Sequence, residues 1–464
     1  MNGPDKKEKR LALPFFLALA ILTLLAFAIP LRPTESRTEK RLLTPFPAFS
    51  AQALLDGSYF DDINAWFSDT FPGREGWLSV SSRLESLHGL TDNTVDLDSI
   101  KNPQPTEDLD ALLNLPAPTP APTPDEAPAE ATAAPVPTAT PEPTPLPTID
   151  PEFSVEDWEG FDANDELTMF GGSFMINGVV FAQMGFGRNA SDQYNLILNY
   201  AASYLEAAGL RLINVPAPTS VGVLISPSLL PELNCADQGK ILSYLFQNEA
   251  DSIVKVNAFN DLVEHNDEYI YYYGDHHWTA LGAYYGYVAF CRSVGFVPVP
   301  LSEYEEVNMG RYRGTYYYSI QQNDKVKTDE VIAYVPPGNV TMDILGSSSE
   351  QNGIWGPVVD KRDAEDNLKY ICFINGDNPV TVLTNHDLPE DAPSCVVVKD
   401  SFGNPFVVYL TQHYRQVVVL DYRKVTQPAS YFAELYGATD VILCQSLGVS
   451  QTFGPQTLLP HLLK

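Results

Sequence analysis

From Leu167 onward, apolar strand-like runs alternate with segments of helical period, and that alternation restricts the chain to an α/β architecture built on a parallel sheet. Ser191 is placed to cap a helix whose Tyr194, Ile197, Ala201, Tyr204, Leu205 and Ala208 share one face before Gly209 stops it. A strand from Leu210 to Val215 follows, then a helix over 236–250, a strand from Ile253 to Phe259 and a helix from Thr279 to Val294. Strands at Cys395–Val398, Gln416–Leu420 and Val441–Cys444 alternate with helices near 403–414 and 428–436. Residues 300–360 show no clear period, so loops and a small antiparallel excursion are expected there. No internal repeat is visible.

The chain ahead of this domain is of a different kind. From Lys101 to Asp150 it collapses to Pro, Thr, Ala and acidic residues, which bury too little apolar surface to offset the entropy of ordering. With the acidic stretch that follows, 101–166 reads as a disordered, extended linker. Residues 11–29 are an uncharged apolar run behind Lys6, Lys7, Lys9 and Arg10, and at about 1.5 Å per helical residue they nearly cross a hydrocarbon core of about 30 Å. The basic residues put 1–10 in the cytoplasm as a short tail and the bulk of the chain outside, at the cell membrane. Ala26-Phe27-Ala28 offers the competing reading of a cleaved signal peptide. Residues 30–100 carry Phe46, Phe60, Trp66, Phe71 and Trp77 among turn residues, too few for a core of their own, so this membrane-proximal segment is expected to dock on the catalytic domain, 167–464.

Charge narrows the partners. With 28 basic against 59 acidic residues, a net of −31 repels nucleic-acid backbones, and no nucleic-acid partner is expected. The five cysteines (Cys235, Cys291, Cys372, Cys395, Cys444) are too scattered for a disulfide framework and mostly sit in apolar runs as core packing; a bridge between Cys372 and Cys395 is the alternative.

Two segments carry chemistry. Tyr273-Gly274-Asp275-His276-His277-Trp278-Thr279 sets a carboxylate and an imidazole two residues apart; a carboxylate bonded to Nδ1 leaves Nε2 of His277 free as a base. In an extended loop His276 points the other way, as a structural or supporting residue, and Trp278 forms a packing wall or a ligand platform. Far downstream, an apolar strand runs through Lys399-Asp400 into Ser401 and then Phe402-Gly403-Asn404, which places the serine at the carboxyl edge of the sheet, where open α/β folds bind ligands. The plain alternative for Ser401 is a helix N-cap, and for the histidines an acidic turn or a metal pair. A zinc site needs a third protein ligand, and His265, His386, His413 and His461 are scattered, so neither metal nor cofactor is expected. Arg423, past the neighbouring strand, is read as an anion-binding or supporting residue, or as a surface ion-pair partner.

Asp275-His276-His277-Trp278 together with Val397-Val398-Lys399-Asp400-Ser401-Phe402-Gly403-Asn404-Pro405-Phe406 and Gln416 to Arg423 resembles the DHHW family of bacterial membrane-anchored proteins. That family is similar to the SGNH-hydrolase-like enzymes that O-acetylate alginate outside the membrane. The resemblance implies an SGNH-like, flavodoxin-like fold with permuted motif order, and a triad of Ser401, His277 and Asp275. It implies an O-acyltransferase acetylating a cell-envelope polysaccharide, with the acetyl donor supplied by a membrane-bound O-acyltransferase. Lys399 stands where SGNH esterases have the glycine of Gly-Asp-Ser, and the permuted order leaves the oxyanion hole unassigned, Asn404 being a weak candidate. An acetyl esterase of the same fold, and a noncatalytic glycan-binding or scaffold protein, are the rival readings.

Overall fold

A central eight-stranded sheet carries the candidate site at the carboxyl ends of its strands. The computed structural model describes residues 158–163, 165–345, 354–425 and 427–452, with isolated positions between Glu35 and Thr70. The segments expected as tail and anchor, most of the membrane-proximal segment and 101–157 of the linker lie outside the described residues. Among the described residues no helix is long and apolar enough to cross a membrane. The chain divides into two units, Met1–Thr94 and Val95–Lys464. In the first, Glu35–Ser36 pairs antiparallel with Arg41–Leu42, and Phe46 meets Trp66 edge-on with ring centroids 4.8 Å apart.

In the larger unit, described structure begins at Trp158, inside the segment assigned to the linker: Phe161 bridges to Ile225, and Trp158 packs edge-on against Phe259. A three-stranded antiparallel meander follows, β1 (Leu167–Phe170), β2 (Ser173–Ile176) and β3 (Val179–Ala182). Helix α1 (Arg188–Ala207) starts three residues before Ser191, behind Gly187; Ser191 is buried within it and bonds Gln451. Strand β4 (Arg211–Ala217) leads through α2 (Ser220–Leu224) and α3 (Gln238–Asn248) to β5 (Val254–Lys255), which is far shorter than its apolar run because α4 (Phe259–Glu264) begins at Phe259. Helix α5 (Ala280–Val294) opens with the Thr279 hydroxyl accepting the Gly282 N–H and ends on Gly295 at φ 83°, both standard stop and start chemistry.

The unperiodic region resolves into β6 (Glu305–Tyr312), α6 (Thr315–Ser319), β7 (Asp329–Val335), β8 (Val340–Leu345) and β9 (Ile354–Gly356). β6 and β7 pair antiparallel with a register shift at Asn308/Arg311, where Gly310 takes φ 85°. The chain ends in β10 (Val380–Asn385), β11 (Cys395–Lys399), α7 (Gly403–Leu410), β12 (Gln416–Asp421), α8 (Ala429–Tyr436) and β13 (Asp440–Ser446).

Strand order in the main sheet is β9-β8-β10-β12-β11-β13-β4-β5. The expectation of a parallel sheet is corrected: β12, β11, β13, β4 and β5 are parallel, but β10, β8 and β9 extend the sheet antiparallel. Strand polarity depends on how the chain returns to the sheet, and residues 357–379 between β9 and β10 hold a 3-10 turn (Lys369–Cys372) but no α-helix of the kind that carries a parallel crossover. β11 sits between β12 and β13 and is wholly buried, as expected for Cys-Val-Val-Val covered on both faces. All five cysteines are free and buried, so Cys372 and Cys395 are not bridged.

Candidate active site

β11 delivers Lys399, and Asp400 and Ser401 make the turn into α7. The Asp400 carboxylate fixes that turn: Oδ1 accepts the Phe402 N–H at 2.9 Å and Oδ2 accepts the Ser446 N–H at the end of β13, also at 2.9 Å. Burial pushes its carboxyl pKa up, against these bonds. The Tyr370 hydroxyl donates to the Ser401 carbonyl at 2.9 Å, which leaves the serine side chain to turn toward the other motif segment.

There Ser401 Oγ lies 2.7 Å from His277 Nε2, and His277 Nδ1 lies 2.5 Å from Asp275 Oδ1. Asp275 is fully buried and its oxygens are occupied: Oδ1 also accepts the His277 N–H, and Oδ2 accepts the Tyr312 hydroxyl at 3.1 Å and the Thr315 N–H at 2.7 Å. The imidazole is stacked on Tyr370, centroids 4.3 Å apart and planes 15° from parallel, so it has one orientation. Burial holds the phenols of Tyr312 and Tyr370 well above their usual range, and both remain hydrogen-bond donors. Trp278 is fully buried and donates its indole N–H to the Phe402 carbonyl at 2.8 Å, tying the two motif segments together 124 positions apart; it is a wall, with no face open to a ligand.

Beneath the serine turn the unexpected lysine has a structural partner set. Lys399 Nζ, 1% exposed, lies 2.8 Å from Asp377 Oδ1 and 3.5 Å from Asp421 Oδ2. Arg423, 39% exposed, forks onto Asp421 (2.8 and 2.6 Å) and reaches Asp377 at 2.8 Å. Lys424 adds a third cation, its Nζ donating to the Asp377 carbonyl at 2.8 Å. Burial works against ionised Asp377, but Lys399 and Arg423 outweigh it and hold its carboxyl far below the usual range. Arg423 therefore supports the serine turn through Nε and Nη2. Asn404 does the same, giving its amide N–H to Asp377 at 3.0 Å, while its Oδ1 is buried without a partner. Gly403 is obligatory in this packing, since a Cβ there would sit 2.6 Å from Lys399 Cβ.

His276 is one-third exposed, its ring 3.8 Å from that of His277 and 5.9 Å from that of Tyr316. Asp275, His276 and His277 offer ligand atoms within 4.8 Å of one another, a geometry able to hold a metal ion. The Asp275 Oδ1, His277 Nδ1 and Nε2 atoms are, however, already committed to the relay with Ser401. Sequence reasoning offered Tyr312 only as one of several tyrosines able to stack on a sugar, where the structure has it donating to Asp275, and missed Thr315, Asp329, Tyr370 and Asp377. The first three lie in the region without periodicity. Asp377 alone had a local signal, the turn-forming Asn375-Gly376-Asp377-Asn378.

The DHHW family model matches residues 39–112 and 159–420, which include both motif segments. The chain belongs to the DHHW family. The crystal structure of a DHHW family protein from Eubacterium siraeum, 21% identical, covers 64% of this DHHW protein and 98% of its own chain with a TM-score of 0.58, and at that identity it speaks for the fold. Bacillus cereus PatB1 (16% identity, 63% and 99% coverage, TM-score 0.49) and the O-acetyltransferase domain of Pseudomonas putida AlgJ (12%, 64% and 99%, 0.35) resemble the DHHW chain too distantly to carry an argument. No curated protein sequence matches it.

Proposed function

We propose that this DHHW protein is an extracytoplasmic serine-dependent O-acyltransferase that acetylates a cell-envelope polysaccharide. The observation that carries the reading is the continuous relay from Ser401 Oγ through His277 to buried Asp275. A serine that merely caps a helix has no need of an imidazole at 2.7 Å whose other nitrogen is held by a carboxylate. Ser401 Oγ attacks the acetyl carbonyl carbon while His277 Nε2 takes its proton. Collapse of the tetrahedral adduct expels the donor's leaving oxygen, which receives that proton, and leaves acetyl-Ser401. A sugar hydroxyl then gives its proton to His277 and attacks the ester, and the proton returns to Ser401 Oγ. In this mechanism the backbone N–H of Ser401, the residue that carries the reacting oxygen, donates to the developing oxyanion. In this reading residues 11–29 anchor the chain, and a membrane-bound O-acyltransferase hands over the acetyl group.

The test incubates the full chain with p-nitrophenyl acetate, with and without envelope oligosaccharides, and follows acetyl-Ser401 by mass and acetate by assay. Expected are acyl-enzyme formation, acceptor-dependent turnover and a loss of roughly 10⁴-fold in Ser401→Ala or His277→Ala. Acetate release indifferent to acceptor would make it an esterase, and no acylation of Ser401 at all would remove enzymatic readings. In the native host, unchanged glycan acetylation in Ser401→Ala would refute the proposal.

A further inference from the structure

We propose that Asp329, outside both motif segments, is a positioning residue for this acyl transfer, holding the Tyr273–Gly274 backbone where Asp275 reaches His277. The inference rests on the acyltransferase reading above.

Asp329 opens β7 and is 2% exposed. Three donors of one short loop converge on it. Oδ1 accepts the Tyr269 hydroxyl and the Tyr273 N–H, each at 2.6 Å, and Oδ2 accepts the Gly274 N–H at 2.7 Å. The residue after Gly274 is Asp275, whose contact with His277 is 2.5 Å, so the carboxylate of β7 fixes the backbone one peptide away from the relay. The loop returns through the Tyr271–Trp278 bridge, and α6 closes it from the other side as Tyr317 donates its N–H to the Gly274 carbonyl.

An ionised carboxylate satisfies all three donors because both oxygens accept. A protonated acid or an amide does not: one oxygen site becomes a donor facing a backbone N–H, and the loop has to part from it. The remaining charged and titratable groups around Asp329 give it no cation to pair with. Asp275, Tyr272 and Tyr273 face it from the loop, Glu330 follows it on β7, and Lys327 lies with Nζ 5.2 Å over the Tyr273 ring; among the described residues no Lys or Arg forms an ion pair with Asp329. Burial pushes the carboxyl up to about 6 against the bonds from Tyr269, Tyr273 and Gly274, with Asp275 adding to the rise. The loop grip therefore weakens as the medium is acidified toward pH 6 and below.

The experiment measures kcat and KM of the full chain for p-nitrophenyl acetate plus oligosaccharide acceptor across pH. Asp329→Asn is expected to lower kcat at pH 8 by roughly ten- to hundredfold with KM little changed, the scale set by an ångström-level misplacement. Its acid-side fall becomes shallower, one proton in place of two. Tyr269→Phe removes one of three donors and keeps the charge; the acid-side fall then moves to higher pH while plateau kcat stays within about threefold. Wild-type kcat and pH profile in a folded Asp329→Asn protein would overturn the inference while leaving the triad intact. Should that variant not fold, an unmoved acid limb in Tyr269→Phe overturns it equally. Absence of Ser401 acylation in the wild type would instead defeat the acyltransferase reading, and this inference with it.

Discussion

Replacing Lys399 by methionine keeps the stem that packs under Gly403 and removes only the charge, leaving Arg423 as the cation paired with the Asp377 and Asp421 carboxylates and Lys424 on the Asp377 carbonyl. Lys399 is 1% and Asp421 0% exposed, so solvent does little to screen the unbalanced carboxylate. Breaking a buried pair in this way costs about 3–5 kcal/mol, a large fraction of a typical total of about 5–15 kcal/mol. Asp377→Asn removes the anion nearest Lys399, at 2.8 Å, and restores charge balance when combined with Lys399→Met. The double variant should therefore be less destabilised than the sum of the singles by about 1–3 kcal/mol. Urea unfolding of the full chain at pH 7, followed through tryptophan fluorescence, measures all four corners of the cycle. A single-variant cost below about 1 kcal/mol, or strict additivity, would refute the claim that this network holds the serine turn.

Two further outcomes follow from the packing. Gly314→Ala would drive a Cβ into the Asp275 side chain, which is buried and cannot retreat; Ser401 acylation should fall at least roughly tenfold while circular dichroism stays native, and unchanged acylation would show that Asp275 tolerates displacement. Glu249 is 4% exposed and burial pushes its carboxyl up to about 7, so ionising it costs the fold what it does not cost the unfolded chain. Its contribution is full below about pH 4.5 and is lost as pH rises through about 7, worth about 3 kcal/mol in all. Glu249→Gln should flatten the dependence of Tm on pH between about 4.5 and 7; an unaltered slope would place the titration elsewhere.

Local pattern was a good guide wherever one element decides its own state. Helix α5 was legible to within a residue because Thr279 caps it and Gly295 stops it, and β11 because a run of valines flanked by turn residues admits little else. The start of α1 was misplaced because Ser191 looks like a cap, yet its hydroxyl bonds Gln451, 260 positions away. Strand polarity in β8 to β10 depends on connections and neighbours, neither of which leaves a periodic trace. At the site, the meeting of Ser401, His277 and Asp275 was legible from residue type and order, whereas Asp329 was hidden and Asp377 was marked only as a turn residue: each acts on backbone or charge from another part of the chain, and neither stretch carries a sign of its partner.

The indole of Trp278 and the carbonyl of Phe402 are joined across 124 positions, the same span that separates His277 from Ser401. Helix content can return early in refolding from local contacts, but that long-range clasp closes only when the loop docks on the serine turn. Capture of an electrophile by Ser401 should thus be the last native property to reappear, making covalent labelling a clock for completed folding.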